Sequence, residues 1–284
     1  MRAVLRLLLL IVLLVPGAAW AKDGESRYAG ADGVLVHYKS WGQGSPVILV
    51  HGFTLNQSYW QAQIPALAKT HRVIALDLPG HGDSGKPRDA AYTMDFYARA
   101  VEAVAQDAGL SHTALVGHSM GLPVIHTVLR RDKLKVDRVA FLDGAIMHHP
   151  SNPALRAQND AWMKSMVEGM KSPGYQLVIE QMFQGVTTKV SAAQKKQLLA
   201  QGRAIDQHVA VSTFENFDSP DVWAPAKFKV PALAIYAAMS QAGVKDWLAD
   251  NYPKARLQVW DDVDHFPQLV QPERVNKALI GFLK

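Results

Sequence analysis

A chain of 284 residues, 49% of them hydrophobic and without a low-complexity tract, can bury a sizeable core as one large domain or as a domain carrying an insertion. Its formal net charge of +5 is not gathered into any dense Lys/Arg run, which gives no footing for nucleic-acid binding. The absence of cysteine excludes disulfides, so stability must come from the core. Residues 1–21, MRAVLRLLLLIVLLVPGAAWA, read as a secretory signal peptide. Arg2 and Arg6 form the positive n-region, an apolar run from Leu7 to Val15 follows, and Ala19-Trp20-Ala21 supplies small residues for cleavage between Ala21 and Lys22. The run is shorter than the roughly 20 apolar residues a bilayer span needs. A cleaved signal is therefore expected, leaving no stable membrane anchor, a charge lowered to +3 and a periplasmic or secreted location.

Strand-like and helix-like patterns then alternate. VLVHYKSW (34–41) alternates as a half-exposed strand does, while PVILVHG (46–52) and RVIALDL (72–78) are short apolar runs suited to strands buried on both faces. Between them SYWQAQIPALAKT (58–70) has helical spacing. TMDFYARAVEAVAQDAG (93–109) opens on a Thr cap and closes on Gly109, as a helix does. HTALVGHSMG (112–121) is a strand running into a sharp turn, LPVIHTVLRRD (122–132) a helix and DRVAFLDG (137–144) a strand. From about 150 to 225 the strands stop, and amphipathic segments such as PALRAQNDAWMKSMVEGMK and YQLVIEQMFQG predict a helical insertion. The alternation resumes with VPALAIYA (230–237), VKDWLADNY (244–252), RLQVWDDV (256–263) and PERVNKALIGFLK (272–284). Repeated strand–helix units predict an α/β fold with a mostly parallel sheet and helices on both faces.

Gly117-His118-Ser119-Met120-Gly121 fits G-x-S-x-G at the junction of a buried strand and a helix. A nucleophilic serine there needs a tight, strained turn above the sheet edge, with glycine two residues to either side to avoid collision. The following helix aims its N-terminal amides at a developing oxyanion. His51-Gly52-Phe53 follows another buried strand, so the amides of Phe53 and Met120 are the candidate oxyanion hole, with His51 as a brace. A serine hydroxyl also needs a base. Of the eleven histidines, His265 is the candidate, because it lies between the last strand and the last helix. The His148-His149 pair lacks metal-ligand spacing and reads as loop.

HGF (51–53), DLPGHGDSGKP (77–87), GHSMG (117–121) and DHF (264–266), in that order, resemble the α/β-hydrolase family over nearly all of residues 30 to 284. The resemblance implies a mostly parallel eight-stranded sheet with a helical cap inserted after the sixth strand. On that basis residues 22–149 and 226–284 form the two parts of the core and 150–225 the cap. Gly-Asp-Ser-Gly at 82–85 also marks the nucleophile of trypsin-like proteases, but those are all-β, so Ser84 reads as structural.

In most members of the family the triad acid follows the seventh strand, where PALAIYAAMSQAG (231–243) offers Ser240 and no carboxylate. A second family arrangement places the acid after the sixth strand, where Asp143 ends RVAFLD. The expected triad is therefore Ser119, Asp143 and His265, with Asp261, Asp262 and Asp264 on the His265 loop, or a dyad lacking any acid, as alternatives.

The insertion is rich in Met and aromatic side chains, Trp162, Met163, Met166, Met170, Tyr175, Met182, Phe183, Phe214, Phe217 and Trp223, some of which must pack the cap onto the core while the excess of Met suits an adaptable apolar pocket. The expected function is that of an exported serine hydrolase, carboxylesterase or lipase-like. It would cleave a small-molecule ester or acyl substrate through an acyl-enzyme on Ser119, with no metal or organic cofactor. C–C bond or amide hydrolysis, acyl transfer and perhydrolysis remain open on the same fold, as does a non-catalytic ligand-binding role. The sequence carries no signature of oligomeric state.

Overall fold

The computed structural model describes residues 23–146 and 153–284. The signal segment and the His148-His149 pair lie outside the described residues. Eight strands run in chain order: β1 (Glu25–Ala31), β2 (Val34–Trp41), β3 (Ser45–Val50), β4 (His71–Leu76), β5 (Thr113–His118), β6 (Val136–Leu142), β7 (Ala232–Ala237) and β8 (Arg256–Trp260). They form one sheet in the order β1-β2-β4-β3-β5-β6-β7-β8. β1 pairs antiparallel with β2, and β2 antiparallel with β4, while every later pairing is parallel. The first strand has no counterpart in the sequence reading. ESRYAGA is an edge strand whose first four residues are exposed, so it lacks the apolar alternation that marks the others.

Strands β3 to β7 are nearly continuous apolar runs because helices cover both faces of a parallel sheet. The helices that precede the insertion are α1 (Ile64–Leu67), α2 (Met94–Asp107) and α3 (Gly121–Arg131). Thr93 caps α2 by accepting the Phe96 amide, and α3 packs on α2, β3, β5 and β6. The helical spacing at 58–70 resolves into a 3-10 turn at Gln57–Trp60 followed by α1 alone. Pro65 lacks an N–H and would interrupt a continuous helix, yet it suits the first turn of a new one.

Between β6 and β7 the described residues form five helices: α4 (Pro153–Lys171), α5 (Tyr175–Val186), α6 (Ala192–Arg203), α7 (Gln207–Phe217) and α8 (Pro220–Trp223). This is the cap. It is fastened to the body by polar contacts, including Tyr97 Oη to Thr213 Oγ1 at 2.8 Å, the Tyr92 amide to Ser212 Oγ at 2.9 Å and Gln194 Nε2 to the Leu269 carbonyl at 3.0 Å. After β7 come α9 (Val244–Asn251), α10 (Pro267–Val270) and α11 (Pro272–Leu283). Among the described residues no helix is long and apolar enough to cross a membrane.

Among the buried histidines without an ion-pair partner are His51, His81, His118 and His126. Burial lowers the pKa of all four, to about 4 for His81 and about 3 for His126, with Arg130 adding to the shift at His126. An unfolded histidine binds its proton near pH 6.5. The unfolded state therefore takes up protons that the folded state refuses. The stability these residues contribute is complete above about pH 6.5 and is lost as pH falls toward 4 and 3. Urea unfolding should therefore show a less stable protein at pH 5.5 than at pH 7.5. Equal stabilities at the two values would contradict the neutral burial of these rings.

Candidate active site

The strand order reverses between β3 and β5, and the loops that follow β3, β5, β6 and β8 converge over that edge of the sheet. Open α/β sheets gather ligands and reactive groups at such a point. Ser119 leaves the end of β5 in the left-handed region, with φ of 52°. A non-glycine residue there is strained unless its surroundings hold it. Three backbone bonds do so: the Ser119 amide donates to the Leu142 carbonyl at 3.3 Å, and the Ser119 carbonyl accepts from Leu122 and Ala145 at 3.0 and 2.9 Å.

The glycines of the motif are explained by contact. A Cβ on Gly121 would lie 2.4 Å from the Val50 carbonyl oxygen, and one on Gly117 would lie 2.7 Å from that of Gly121. Gly52 is equally confined, since its Cβ would lie 2.9 Å from Ser119 Cβ. The three glycines let β3, β5 and α3 close around the serine.

His265 Nε2 lies 3.0 Å from Ser119 Oγ, and His265 Nδ1 lies 2.6 Å from Asp143 Oδ2. Asp143 is 1% exposed and, like Ser119, has a positive φ, of 45°. Its Oδ1 accepts the Ala237 amide at 2.9 Å, and its Oδ2 also accepts the Ser240 hydroxyl at 2.8 Å. Three donors thus surround a buried carboxylate. The structure brings Ser119, His265 and Asp143 into one hydrogen-bonded line.

The aspartates on the His265 loop are engaged elsewhere. Asp264, fully buried, accepts the Lys189 and Val190 amides on Oδ2 at 2.6 and 3.2 Å and the Phe266 amide on Oδ1 at 3.0 Å. It ties the α5–α6 link of the cap to the loop that carries His265. Asp262 pairs with Arg274 and Gln271 at the surface. The Asp261 carbonyl receives the Lys189 ammonium.

The amides of Phe53 and Met120 have no acceptor among the described residues. His51 braces their loop. Its Nδ1–H donates to the Gly52 carbonyl at 2.8 Å and its Nε2 accepts the Leu78 amide at 3.0 Å, which uses both ring nitrogens in one neutral tautomer. Burial keeps that ring neutral by holding its pKa well below the ordinary value.

Sequence reasoning assigned His118 no part near the base. Its Nε2–H donates to the His265 carbonyl at 2.8 Å and its ring centroid lies 4.9 Å from that of His265. Burial, and then proximity to His265, holds its pKa well below the ordinary value, so it meets the base as a neutral donor. The position of His118 before the serine gave no hint of this bond, which depends on a loop 147 residues away.

Above Ser119 is a cavity of about 310 Å³. Trp162, Met163, Met182, Phe183, Phe214 and Phe217 supply its cap side, and none of its described lining residues is Lys or Arg. Met170, Tyr175 and Trp223 do not line it. Met170 is buried, and the two aromatics donate to the carbonyls of Ile205 and Phe217. Ser84, the serine of the Gly-Asp-Ser-Gly decoy, donates to the Asp77 carbonyl at 2.6 Å and accepts the His37 amide at 2.8 Å, a structural use. Asp77, His37 and Asp83 bring their ligand atoms within metal-binding reach of one another. The Asp77 carboxylate is already committed to His37 Nδ1 and to the amides of Gln57 and Asp83.

Fold and site together define the class. Residues 45–272 match the family model described as the alpha/beta hydrolase fold, and the chain belongs to that family. It is 27% identical over 257 residues to an (E)-2-((N-methylformamido)methylene)succinate hydrolase of Acinetobacter baylyi, covering 87% of this chain and 94% of the relative. It is 26% identical over 268 residues to a non-heme haloperoxidase of Rhodococcus erythropolis, covering 89% and 97%. Among solved structures, an esterase from Exiguobacterium antarcticum superposes with a TM-score of 0.79 at 17% identity, covering 91% of this chain and 99% of that one, a likeness of fold.

The close approach at Gly121 generates a test. Gly121→Ala forces a methyl group against the Val50 carbonyl, an overpacking cost of roughly 1–3 kcal/mol. The melting temperature should fall by about 3–10 °C. An unchanged value would show that β3 and α3 are less tightly apposed than described.

Proposed function

We propose that the protein is an exported serine hydrolase that cleaves a neutral carboxylic ester. One observation carries this reading: the unbroken line from Ser119 Oγ through His265 to Asp143, which opens on an apolar cavity. Ser119 Oγ attacks the ester carbonyl carbon while His265 Nε2 takes its proton. Asp143 holds the Nδ1–H tautomer and stabilises the imidazolium that forms. The negative charge on the carbonyl oxygen falls to the free amides of Phe53 and Met120, at the N-terminus of α3. His265 then protonates the leaving alcohol. Water enters, loses a proton to His265 and attacks the acyl carbon, and Ser119 departs with that proton restored.

A binding protein has no use for a serine held at positive φ beside two unpaired amides, and this supports catalysis over ligand binding alone. The cavity supports the substrate class. A volume of about 310 Å³ with apolar walls suits a short acyl or aryl group. The Acinetobacter relative is named for a succinate. Here no cationic side chain among the described lining residues would offset the desolvation of a substrate carboxylate. Export is proposed from the n-region, apolar run and small-residue site of residues 1–21.

Two experiments test the reading. A fluorophosphonate should label the wild type on Ser119 and leave Ser119→Ala unmodified, whereas labelling at another residue would refute the assignment of the nucleophile. p-Nitrophenyl butyrate should be cleaved with kcat/KM at least about 100-fold above p-nitrophenyl succinate, which corresponds to an unpaired charge costing about 3 kcal/mol. Equal rates would overturn the substrate class.

A further inference from the structure

We propose that Ser240 is a positioning residue for catalysis, acting through Asp143 by supplying a hydroxyl donor from the strand end that in most of the family carries the acid itself. The proposal deepens the serine-hydrolase reading and rests on it. β7 ends at Ala237, and Ala238–Ser240 forms one 3-10 turn. That short stretch makes two contacts with a carboxylate belonging to the neighbouring strand. The Ala237 amide donates to Asp143 Oδ1 at 2.9 Å and the Ser240 hydroxyl to Asp143 Oδ2 at 2.8 Å. The second oxygen is the one that also faces His265 Nδ1, at 2.6 Å. The turn therefore holds both oxygens of the acid, including the one that faces the histidine.

Chemistry dictates the residue type. With the acid at 143, a second carboxylate at 240 would place two negative charges around one buried site, and one of them would have to be neutralised. An apolar residue would leave Asp143 Oδ2, in a water-poor position, with a single donor. A serine supplies a short, uncharged donor that reaches without crowding. The hydroxyl has two effects. It fixes the rotation of the carboxylate so that Oδ2 points at Nδ1, and its positive end disfavours adding a proton to the Asp143–His265 pair.

Removing the hydroxyl should therefore raise the proton affinity of that pair. The active form requires a neutral His265, so the acid limb of the pH–rate profile should move to higher pH. The other titratable groups facing this pair are His118 and Asp264 on its own side, Tyr59 against His118 and Tyr236 beside Asp143. Burial raises both tyrosines well above their ordinary value and lowers His118 well below its own, so none of these three titrates between pH 5 and 8.

The experiment is a comparison of wild type, Ser240→Ala, Ser240→Thr and Ser240→Cys on p-nitrophenyl butyrate across pH 5 to 9, with fluorophosphonate labelling of each. Ser240→Ala should lose about tenfold in kcat, the effect of one hydrogen bond to a charged group, with KM within about twofold and the acid limb shifted upward. Ser240→Thr, which keeps the hydroxyl, should recover most of the loss, and Ser240→Cys, a weaker donor of similar shape, should fall between. Wild-type kcat and an unmoved acid limb in Ser240→Ala would overturn the proposal. So would equal losses in the Ala and Thr variants with no shift of the limb, since that pattern marks packing alone. Failure of the wild type itself to label on Ser119 would strike the serine-hydrolase reading instead.

Discussion

The buried charge of Asp143 is the interaction on which the site depends. A carboxylate 1% exposed is costly unless donors replace its water. Here the donors come from three places in the chain: the Ala237 amide at the end of β7, the Ser240 hydroxyl just beyond it and His265 Nδ1 from the loop after β8. β6 and β7 must be paired in register to bring these groups together, and that parallel pairing runs from Val139 opposite Ala232 to Leu142 opposite Ile235. The sheet thus supports the site through the placement of one charge.

The second constraint is crowding. Ser119 can stand above the sheet only because β3, β5 and α3 approach to distances that exclude a Cβ at Gly52, Gly117 and Gly121. The base is held by comparable means. The His265 carbonyl accepts a hydrogen bond from His118 Nε2–H, and the flanking Asp264 accepts amides from both the loop and the cap. The cap is therefore more than a cover over the cavity. Its α5–α6 link is bonded to Asp264, the residue beside His265, which ties the cap to that loop.

Much of this was legible in the residues. Gly117, Ser119 and Gly121 announce a strained turn because only that spacing relieves the crowding. The absence of a carboxylate after VPALAIYA pointed to Asp143, and the structure places Asp143 against His265. What escaped was whatever depends on contacts distant in sequence. β1 is an exposed edge strand without apolar alternation, so no pattern marks it. The division of the cap aromatics, Phe183 and Phe214 toward the cavity and Trp223 away, depends on how helices dock, which helical periodicity does not encode. The roles of His118, Asp264 and Ser240 are bonds across 147, 75 and 97 residues. Each is an ordinary polar residue until the fold delivers its partner.

The direct measurement is the steady-state kcat of Asp143→Asn beside Asp264→Asn, with Ser119 labelling as a control for folding. Asparagine keeps the shape of the side chain and tolerates the positive φ at position 143. It cannot supply the charge that stabilises the imidazolium. If Asp143 is the acid, its variant should lose about 10⁴-fold in kcat, while Asp264→Asn, which disturbs only the latch to the cap, should stay within about tenfold of wild type. Near-wild-type turnover in Asp143→Asn, with the large loss in Asp264→Asn, would contradict the placement of the acid on β6.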